Sequence, residues 1–254
     1  MEPLSVSQVQ GYLFCSLKYR FQYVDRIPPA WRPAALAFGA SVHSAAEWFH
    51  RERLAGRSPT PQAAAEVFAA DWYAANLAPL VFPERESEAV LAEKGRELIR
   101  LYAEGLDGTP PPLLVEDRFE IDLADPETGE LLDRRLRGVI DLVEADGTLV
   151  ELKTAARTFD TGSLERHLQL STYALVRLLQ TGAVPPLRID ALLKTKVPRV
   201  DRLPAARSIS DLSWTVRLLA SVAAAIQAGH FFPNPSYRCA ECEYFAQCQA
   251  WRGE

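Results

Sequence analysis

Methionine, cysteine and histidine are scarce in this chain, whose 254 residues include one methionine, four cysteines and four histidines. Apolar runs are short, and we expect none to approach the roughly 18 residues that a membrane-spanning helix needs. The first four residues lack the basic segment that opens a secretory signal. The sequence therefore predicts a cytoplasmic protein without a membrane partner, a setting in which structural disulfides are rare.

An excess of positive charge is also lacking, because the formal net charge is −5 at pH 7. Indiscriminate binding of nucleic acid depends on Lys and Arg side chains that neutralise phosphates, so this composition argues against it. Any nucleic-acid surface must be local. We expect Lys194 and Lys196 to contribute to such a surface, and further candidates are Arg134, Arg135, Arg137, Arg157 and Arg199.

The hydrophobic content of 48% is enough for a sizeable core, and the length fits one domain with an insertion. Helical periodicity predicts helices over residues 5–19, 35–54, 61–77, 84–106, 164–181 and 210–228. Alternating or β-branched runs predict strands over residues 114–123, 132–143, 148–153 and 187–195. This order of helices and strands indicates an α/β fold.

Two acids and a lysine lie on a predicted β-hairpin. Asp146-Gly147 predicts a two-residue type I′ turn, which needs a positive φ at both central positions. Side chains alternate along a strand, so Glu151 and Lys153 share one face, and Asp141 across the hairpin can share it too. Converging carboxylates can hold a hard divalent cation. The same alternation is also typical of an ordinary half-solvated hairpin.

The cysteines form a second candidate site. Cys239, Cys242 and Cys248 make a C-x2-C-x5-C segment near the C-terminus, whereas Cys15 lies near the N-terminus. A C-x2-C motif outside an oxidising compartment more often binds metal or performs redox chemistry than forms a disulfide. The tail around it is rich in Pro, Asn, Ser and Tyr, which argues against a redox motif. An iron–sulfur cluster and a structural zinc both remain open, and the one-plus-three spacing favours the cluster.

The pattern Asp…Glu-x-Lys, preceded by Gly-Val-Ile, resembles the PD-(D/E)XK nuclease superfamily in its RecB-like branch. Two further elements of that branch are present. Gly39, His43 and Glu47 match its upstream Gly-x-x-x-His-x-x-x-Glu helix, and Gln169 and Tyr173 match its downstream Gln-x-x-x-Tyr helix. The resemblance implies a restriction-endonuclease-like core, in which a central mixed β-sheet is flanked by helices.

The resemblance also implies which residues form the site. The implied ligands of Mg²⁺ or Mn²⁺ are His43, Asp141, Glu151 and the backbone carbonyl of Leu152. Lys153 would orient the nucleophile or stabilise the transition state, so that Asp141, Glu151 and Lys153 form the catalytic set. Gln169 and Tyr173 would position the substrate backbone or Lys153.

The cysteines resemble those of the iron–sulfur subgroup of that branch, which includes the AddB nuclease domain and the CRISPR-associated Cas nucleases of the fourth family. This likeness implies a [4Fe-4S] cluster on Cys15, Cys239, Cys242 and Cys248 that joins the two ends of the chain. The chain departs from the subgroup at Ser16, where proline is frequent. The expected organisation is one nuclease domain over 1–254, with a helical insertion over 44–112 and a cysteine-rich tail over 230–254.

The leading hypothesis is a metal-dependent DNA nuclease, an exonuclease on single-stranded or partly duplex DNA ends. CRISPR spacer processing is the first expected context, with a CRISPR integrase complex as the partner. A recombination exonuclease of the AddB or phage type remains an alternative, as does a recognition subunit that binds DNA ends or proteins. A zinc-stabilised nuclease is the weakest alternative.

Overall fold

The computed structural model describes residues 2–84 and 86–253. In chain order its elements are β1 (Leu4–Ser5), α1 (Val6–Phe14), α2 (Ser16–Tyr19), a π-helical turn (Arg20–Val24), β2 (Arg32–Pro33), α3 (Ala34–Leu54), α4 (Pro61–Ala75), β3 (Leu80–Val81), α5 (Glu88–Glu104), β4 (Leu114–Ala124), β5 (Leu131–Val143), β6 (Leu149–Ala155), α6 (Thr161–Glu165), α7 (Leu168–Thr181), β7 (Leu187–Leu193), β8 (Arg199–Ala205), α8 (Ile209–Gln227), a 3₁₀ turn (Tyr237–Glu241) and α9 (Phe245–Arg252).

Six strands form one mixed sheet. Strand β4 pairs with β5 in antiparallel fashion along one edge, and β6 and the short β1 lie one after the other along its second edge. Strands β6 and β7 are parallel, as a connection through α6 and α7 allows, and β8 closes the sheet antiparallel to β7. The predicted fold class, a mixed sheet flanked by helices, is confirmed.

Helices cover both faces of the sheet. The face toward α1, α7 and α8 carries Leu149 of β6, and the face toward α3, α4 and α5 carries Leu152 of the same strand. This alternation on β6 follows the two-residue period of a strand. The expected boundary of the insertion at residue 44 falls inside α3, and the division of the chain at 44–112 stays a prediction.

Helix α8 is the one helix, within the residues that the structure describes, that is long and apolar enough to cross a membrane by length and composition. The expectation that no apolar run approaches this length is therefore wrong. Leu212, Val216 and Leu219 of this helix are nevertheless buried in the core against the sheet. The core helix of a folded domain passes the same test of length and composition as a membrane-spanning helix.

Two local predictions fail for identifiable reasons. The amide of Glu144 donates to the carbonyl of Thr148, and only Gly147 in the intervening loop has a positive φ, of 86°. The hairpin loop thus has three residues and ends on a left-handed glycine, so the type I′ turn is wrong. Strand β8 lies outside the predicted elements and contains Pro204. Proline lacks the amide that a central strand needs, but an edge strand tolerates it.

The first predicted helix is interrupted at Cys15. Ser5 caps its start, since its side chain accepts a hydrogen bond from the amide of Gln8. The backbone of Cys15 is extended, with φ of −162° and ψ of 109°, and this ends α1 before α2 begins. Cys15 therefore lies at a corner between two helices instead of on a helix face.

Candidate active site

The candidate active site lies where strands β5 and β6 separate. Their ladder ends at the pair Leu142 and Val150. Beyond it, the backbone amide of Leu152 donates to Oδ2 of Asp141 at 2.8 Å. A side chain thus takes the place of a strand carbonyl as acceptor, so that the amide is satisfied and the Asp141 carboxylate is held in the opening.

Helix α3 brings His43 to the same opening. Its Nδ1 lies 3.9 Å from Oδ2 of Asp141. Burial lowers the pKa of His43 below its ordinary value; Asp141 opposes this decrease and Lys153 adds to it. The imidazole is therefore neutral at pH 7, which is the form that binds a metal ion.

Glu116 of β4 completes this group, and the sequence analysis missed it. One ligand atom each from His43, Glu116 and Asp141 lies within 4.8 Å of the other two. The antiparallel register sets Glu116 across from Asp141 on the neighbouring strand. Glu151 does not belong to this group of three, so its predicted place in the same ligand set stays a prediction.

The surroundings of Glu116 are unusual for a strand residue. Its φ is +50°, a left-handed value that residues other than glycine seldom adopt. Burial raises the pKa of Glu116 to about 7, and the nearby Asp141 and Glu47 carboxylates add to the increase. Glu116 is one of several acids on β4, and nothing in the local sequence distinguishes it from the others.

Glu151 projects from the face of β6 opposite to that of Leu152, and it is completely buried. Nζ of Lys153 lies 2.5 Å from its Oε1, but neither carboxylate oxygen has a well-aligned hydrogen-bond donor among the described residues. Burial, followed by the charge of Asp141, raises the pKa of Glu151 to about 8, while Lys153 opposes the increase. Burial and the charge of Asp141 therefore disfavour the ionised form of this carboxylate.

Lys153 is fixed by a chain of hydrogen bonds that runs to helix α7. Its Nζ donates to Oε1 of Gln169 at 2.8 Å, and Nε2 of Gln169 donates to the hydroxyl of Tyr173 at 2.9 Å. Gln169 and Tyr173 lie one helical turn apart, which lets both reach the same side of α7. Burial raises the pKa of Tyr173 above its ordinary value, so the hydroxyl keeps its proton.

The donors fit a hard divalent cation. The carboxylates of Glu116 and Asp141 and the imidazole of His43 meet at the opening, and the charge of Asp141 also reaches the buried Glu151. A buried charge without a full set of partners costs several kcal/mol, which a bound cation would offset. The residues available to hold it are His43, Glu116 and Asp141, and the place of Glu151 among the ligands stays a prediction. A role for the backbone carbonyl of Leu152 stays a prediction.

The four cysteines line a second cavity, of about 390 Å³, between the ends of the chain. All four are free thiols. The backbone amide of Ser236 lies 3.4 Å from Sγ of Cys239. Burial raises the pKa of both Cys242 and Cys248. The four sulfurs therefore lie around one cavity, and their role as ligands of a cofactor stays a prediction.

Hydrogen bonds hold the cysteine-rich tail against α2. The hydroxyl of Ser16 donates to the carbonyl of Phe232, and the amide of Phe232 donates back to Ser16, both at 2.9 Å. Lys18 pairs with Glu243 at 2.9 Å. Ser16, which stands where proline is frequent in the iron–sulfur subgroup, thus contributes two of the contacts that join the ends.

Lys194 contributes little positive charge to the proposed nucleic-acid surface. Its Nζ lies 2.8 Å from Oε1 of Glu86, and only 11% of its side chain is exposed. The ion pair and this burial leave no free charge for a phosphate. Lys196 is exposed and keeps its predicted availability.

The sequence matches the family model described as the PD-(D/E)XK nuclease superfamily over residues 3–249. No curated protein matches it. A candidate exonuclease from Eubacterium rectale has a similar structure, with a TM-score of 0.62, 15% identity, and coverage of 98% of this chain and 88% of that one.

The solved structure of SSO0001 gives a TM-score of only 0.34 at 15% identity, covering 54% of this chain and 60% of that one, and it carries no argument. At 15% identity the Eubacterium rectale structure supports the fold alone. The family model, by contrast, spans almost the entire chain and includes every residue of the opening between β5 and β6. The chain therefore belongs to the PD-(D/E)XK nuclease superfamily.

Proposed function

We propose that this nuclease is a divalent-cation-dependent deoxyribonuclease that degrades single-stranded DNA from an end. The observation that carries the proposal is Glu151, a fully buried carboxylate that lies 2.5 Å from Nζ of Lys153 but has no well-aligned hydrogen bond among the described residues. Such a group is stable when a cation completes its surroundings. The structural neighbour from Eubacterium rectale is described as a candidate exonuclease, and we propose action at ends for this chain by analogy with it.

The proposed role of each residue follows from its contacts in the site. His43, Asp141 and Glu151, with the Leu152 carbonyl, are the proposed holders of Mg²⁺ or Mn²⁺, and an imidazole among oxygens favours manganese somewhat. When bound, the cation supplies a water of lowered pKa and charge for the developing negative oxygen. Lys153 is the proposed donor to the nucleophile or to the phosphate oxygens.

Gln169 and Tyr173 are proposed as positioning residues. The Gln169 carbonyl oxygen accepts from Lys153 and its amide donates to Tyr173, so the orientation of the amide is fixed at both ends. This restricts the Lys153 ammonium to one side of Glu151 before substrate arrives. A held ammonium loses less entropy when it contacts a phosphate.

For the cysteine cavity we propose a [4Fe-4S] cluster on Cys15, Cys239, Cys242 and Cys248. A zinc ion with Zn–S distances of about 2.3 Å would bring tetrahedral sulfurs to about 3.8 Å from one another. Among the described residues, no three cysteine sulfurs lie within 4.8 Å of one another. The wider spacing and the cavity of about 390 Å³ support a group larger than one ion.

The finer biological context is likewise proposed. We place the protein in the cytoplasm, where its thiols stay reduced. CRISPR spacer processing with an integrase complex is the first context, because the compact chain and its terminal cysteines resemble that group. Recombination repair is the competing context, and cleavage of DNA ends serves both.

The main test is cleavage of an end-labelled single-stranded oligonucleotide with Mn²⁺. We expect Asp141→Ala and Lys153→Ala to lower the rate at least about 100-fold, because each removes a group at the reacting phosphate. Asp122→Ala is a matched control on an exposed site and should retain wild-type activity. Circular DNA should resist digestion, since it has no end.

Equal activity of all variants would contradict the site assignment. Tight DNA binding without cleavage would favour the recognition subunit instead. For the cluster, the purified protein should be brown and contain about four iron atoms per chain. Cys239→Ser should lose this colour, and a colourless zinc-containing protein would refute the cluster.

A further inference from the structure

We propose that a cavity beside the active-site opening binds a second phosphate of the DNA strand, and that Arg53 is its principal contact. The inference rests on the proposed cleavage of single-stranded DNA and extends it, because it assigns a place to a part of the strand that is not being cut. The residues that line this cavity lie outside the Asp…Glu-x-Lys motif and outside the two helix motifs.

One face of α3 connects the opening with the cavity. His43 lies at the opening, and His50 and Arg53 follow it at spacings of seven and three residues, which place all three on one side of a helix. At a rise of about 1.5 Å per residue, Arg53 lies about 15 Å from His43 along the helix axis. A single strand that passes the opening and continues along this face would reach Arg53 within a few nucleotides.

The cavity adjoins the opening directly. It has a volume of about 300 Å³, and its lining includes His50, Arg53, Arg188, Arg202 and parts of the loop over residues 105–112. We call it the arginine cavity. His50 and Leu142 line both this cavity and the small cavity whose wall contains His43 and Asp141. The two spaces therefore share a wall.

Contacts with the loop fix the position of Arg53. Its Nη2 donates to the carbonyl and the hydroxyl of Thr109, both at 2.7 Å, and to the carbonyl of Pro110 at 3.0 Å. The guanidinium also lies 5.9 Å from the centre of the Phe49 ring. Among the described residues, no carboxylate oxygen lies within 4.0 Å of its nitrogens. A guanidinium that is held in place without a counter-ion is suited to a phosphate.

The acids around the arginine cavity already have donors of their own. Arg188 donates to both carboxylate oxygens of Glu144, at 2.6 and 2.7 Å, and to Asp190 at 2.6 Å. The exposed Asp146 accepts from a backbone amide of its own turn at 2.9 Å. Arg53 is therefore the cation of this cavity that is left for a phosphate of the strand.

The shared wall also contains a polar atom without a partner. His50 is only 3% exposed, and its Nε2 lies 2.8 Å from the hydroxyl of Tyr102, while its Nδ1 has no hydrogen-bond partner among the described residues. Burial lowers the pKa of His50 to about 3, so the ring is neutral. One hydrogen-bonding atom thus stays unused where the two cavities adjoin, and such an atom suits a polar strand better than an apolar one.

The test is the binding of a fluorescently labelled single-stranded oligonucleotide, measured by anisotropy in EDTA at several salt concentrations. Arg53→Ala should weaken binding about ten-fold and lower the slope of log Kd against log salt by about 0.7, the value for one phosphate contact on a single strand. Arg53→Lys should keep the slope. Arg96→Ala is the matched control, because Arg96 is an exposed arginine of α5 that pairs with Glu93.

Hydrolysis of bis(4-nitrophenyl) phosphate with Mn²⁺ separates this contact from a structural role. This small diester fits the opening without reaching Arg53, so Arg53→Ala should hydrolyse it within about two-fold of the wild-type rate. Ala145→Glu adds a negative charge to the lining and removes no hydrogen bond of a side chain, so it should also weaken oligonucleotide binding. Ala224→Glu, on the exposed side of α8, should leave binding unchanged.

Wild-type affinity and salt slope in Arg53→Ala would overturn the inference, as would loss of diester hydrolysis together with binding. Should Arg53→Ala fail to fold, wild-type affinity in Ala145→Glu would overturn it in the same way. In each case Mn²⁺-dependent cleavage that is lost in Asp141→Ala would leave the proposed function intact. Tight binding that depends on Arg53, in a protein that cleaves no DNA, would support the inference and overturn the proposed function.

Discussion

Replacing Glu151 by glutamine is expected to stabilise the protein when no divalent cation is present. Glu151 is fully buried, and its pKa is raised to about 8 from an ordinary value of 4.5. An acid that ionises less readily in the folded state destabilises that state as the pH rises above 4.5, and the loss is complete above pH 8. Glutamine keeps the shape of the protonated acid but cannot ionise.

The magnitude follows from the same pKa. Between pH 4.5 and pH 7 the folded state retains a proton that the unfolded state has released, and each pH unit of this interval contributes about 1.4 kcal/mol. The variant should thus be more stable than wild type by about 3 kcal/mol at pH 7 and by about 1 kcal/mol at pH 5.5. The attraction of Lys153 is already contained in the raised pKa.

Urea unfolding in EDTA, followed by circular dichroism between pH 5.5 and pH 8, measures this difference. Glu120→Gln is the control, because an exposed ion pair contributes only about 0 to 1 kcal/mol. Added Mn²⁺ should stabilise wild type more than the variant. A variant no more stable than wild type at pH 7, with the same dependence on pH, would refute the argument that burial strains this carboxylate.

Three further predictions concern packing and positioning. Gly95→Ala should lower the free energy of unfolding by about 1–3 kcal/mol, because an added Cβ would lie 1.9 Å from the ring of Phe68; an unchanged melting temperature would contradict this. Tyr173→Phe leaves the Gln169 amide without its acceptor and should lower kcat several-fold at unchanged KM, as steady-state kinetics would report. Ser5→Ala removes the capping box of α1 and should cost about 1 kcal/mol in urea unfolding, and a cost near zero would show that the cap is dispensable.

The sequence predicted most regular elements because their signals are local. Periodicity located strands β4 to β7 and helices α3, α7 and α8 within a few residues of their observed ends. It failed where pairing with a distant partner decides the outcome. Strand β8 forms although it contains a proline, because it pairs with the free edge of β7. The charge of Lys194 is neutralised by Glu86, which lies far from it in sequence.

The candidate site divides in the same way. The spacing Glu-x-Lys requires that Glu151 and Lys153 share a face of one strand, and the spacing Gln-x-x-x-Tyr requires that Gln169 and Tyr173 share a face of one helix. These relations are fixed by local backbone geometry, and the structure has both.

Four residues apart on a helix, or two apart on a strand, side chains meet wherever the element lies, so the amino-acid sequence by itself determined those pairs. Only the tertiary structure decided that Glu116 joins His43 and Asp141. The proximity of these three side chains depends on the register of β4 against β5, on the left-handed backbone at Glu116 and on the position of α3 over the sheet. Each of these is fixed by packing between segments distant in the chain, which no local pattern of residues records.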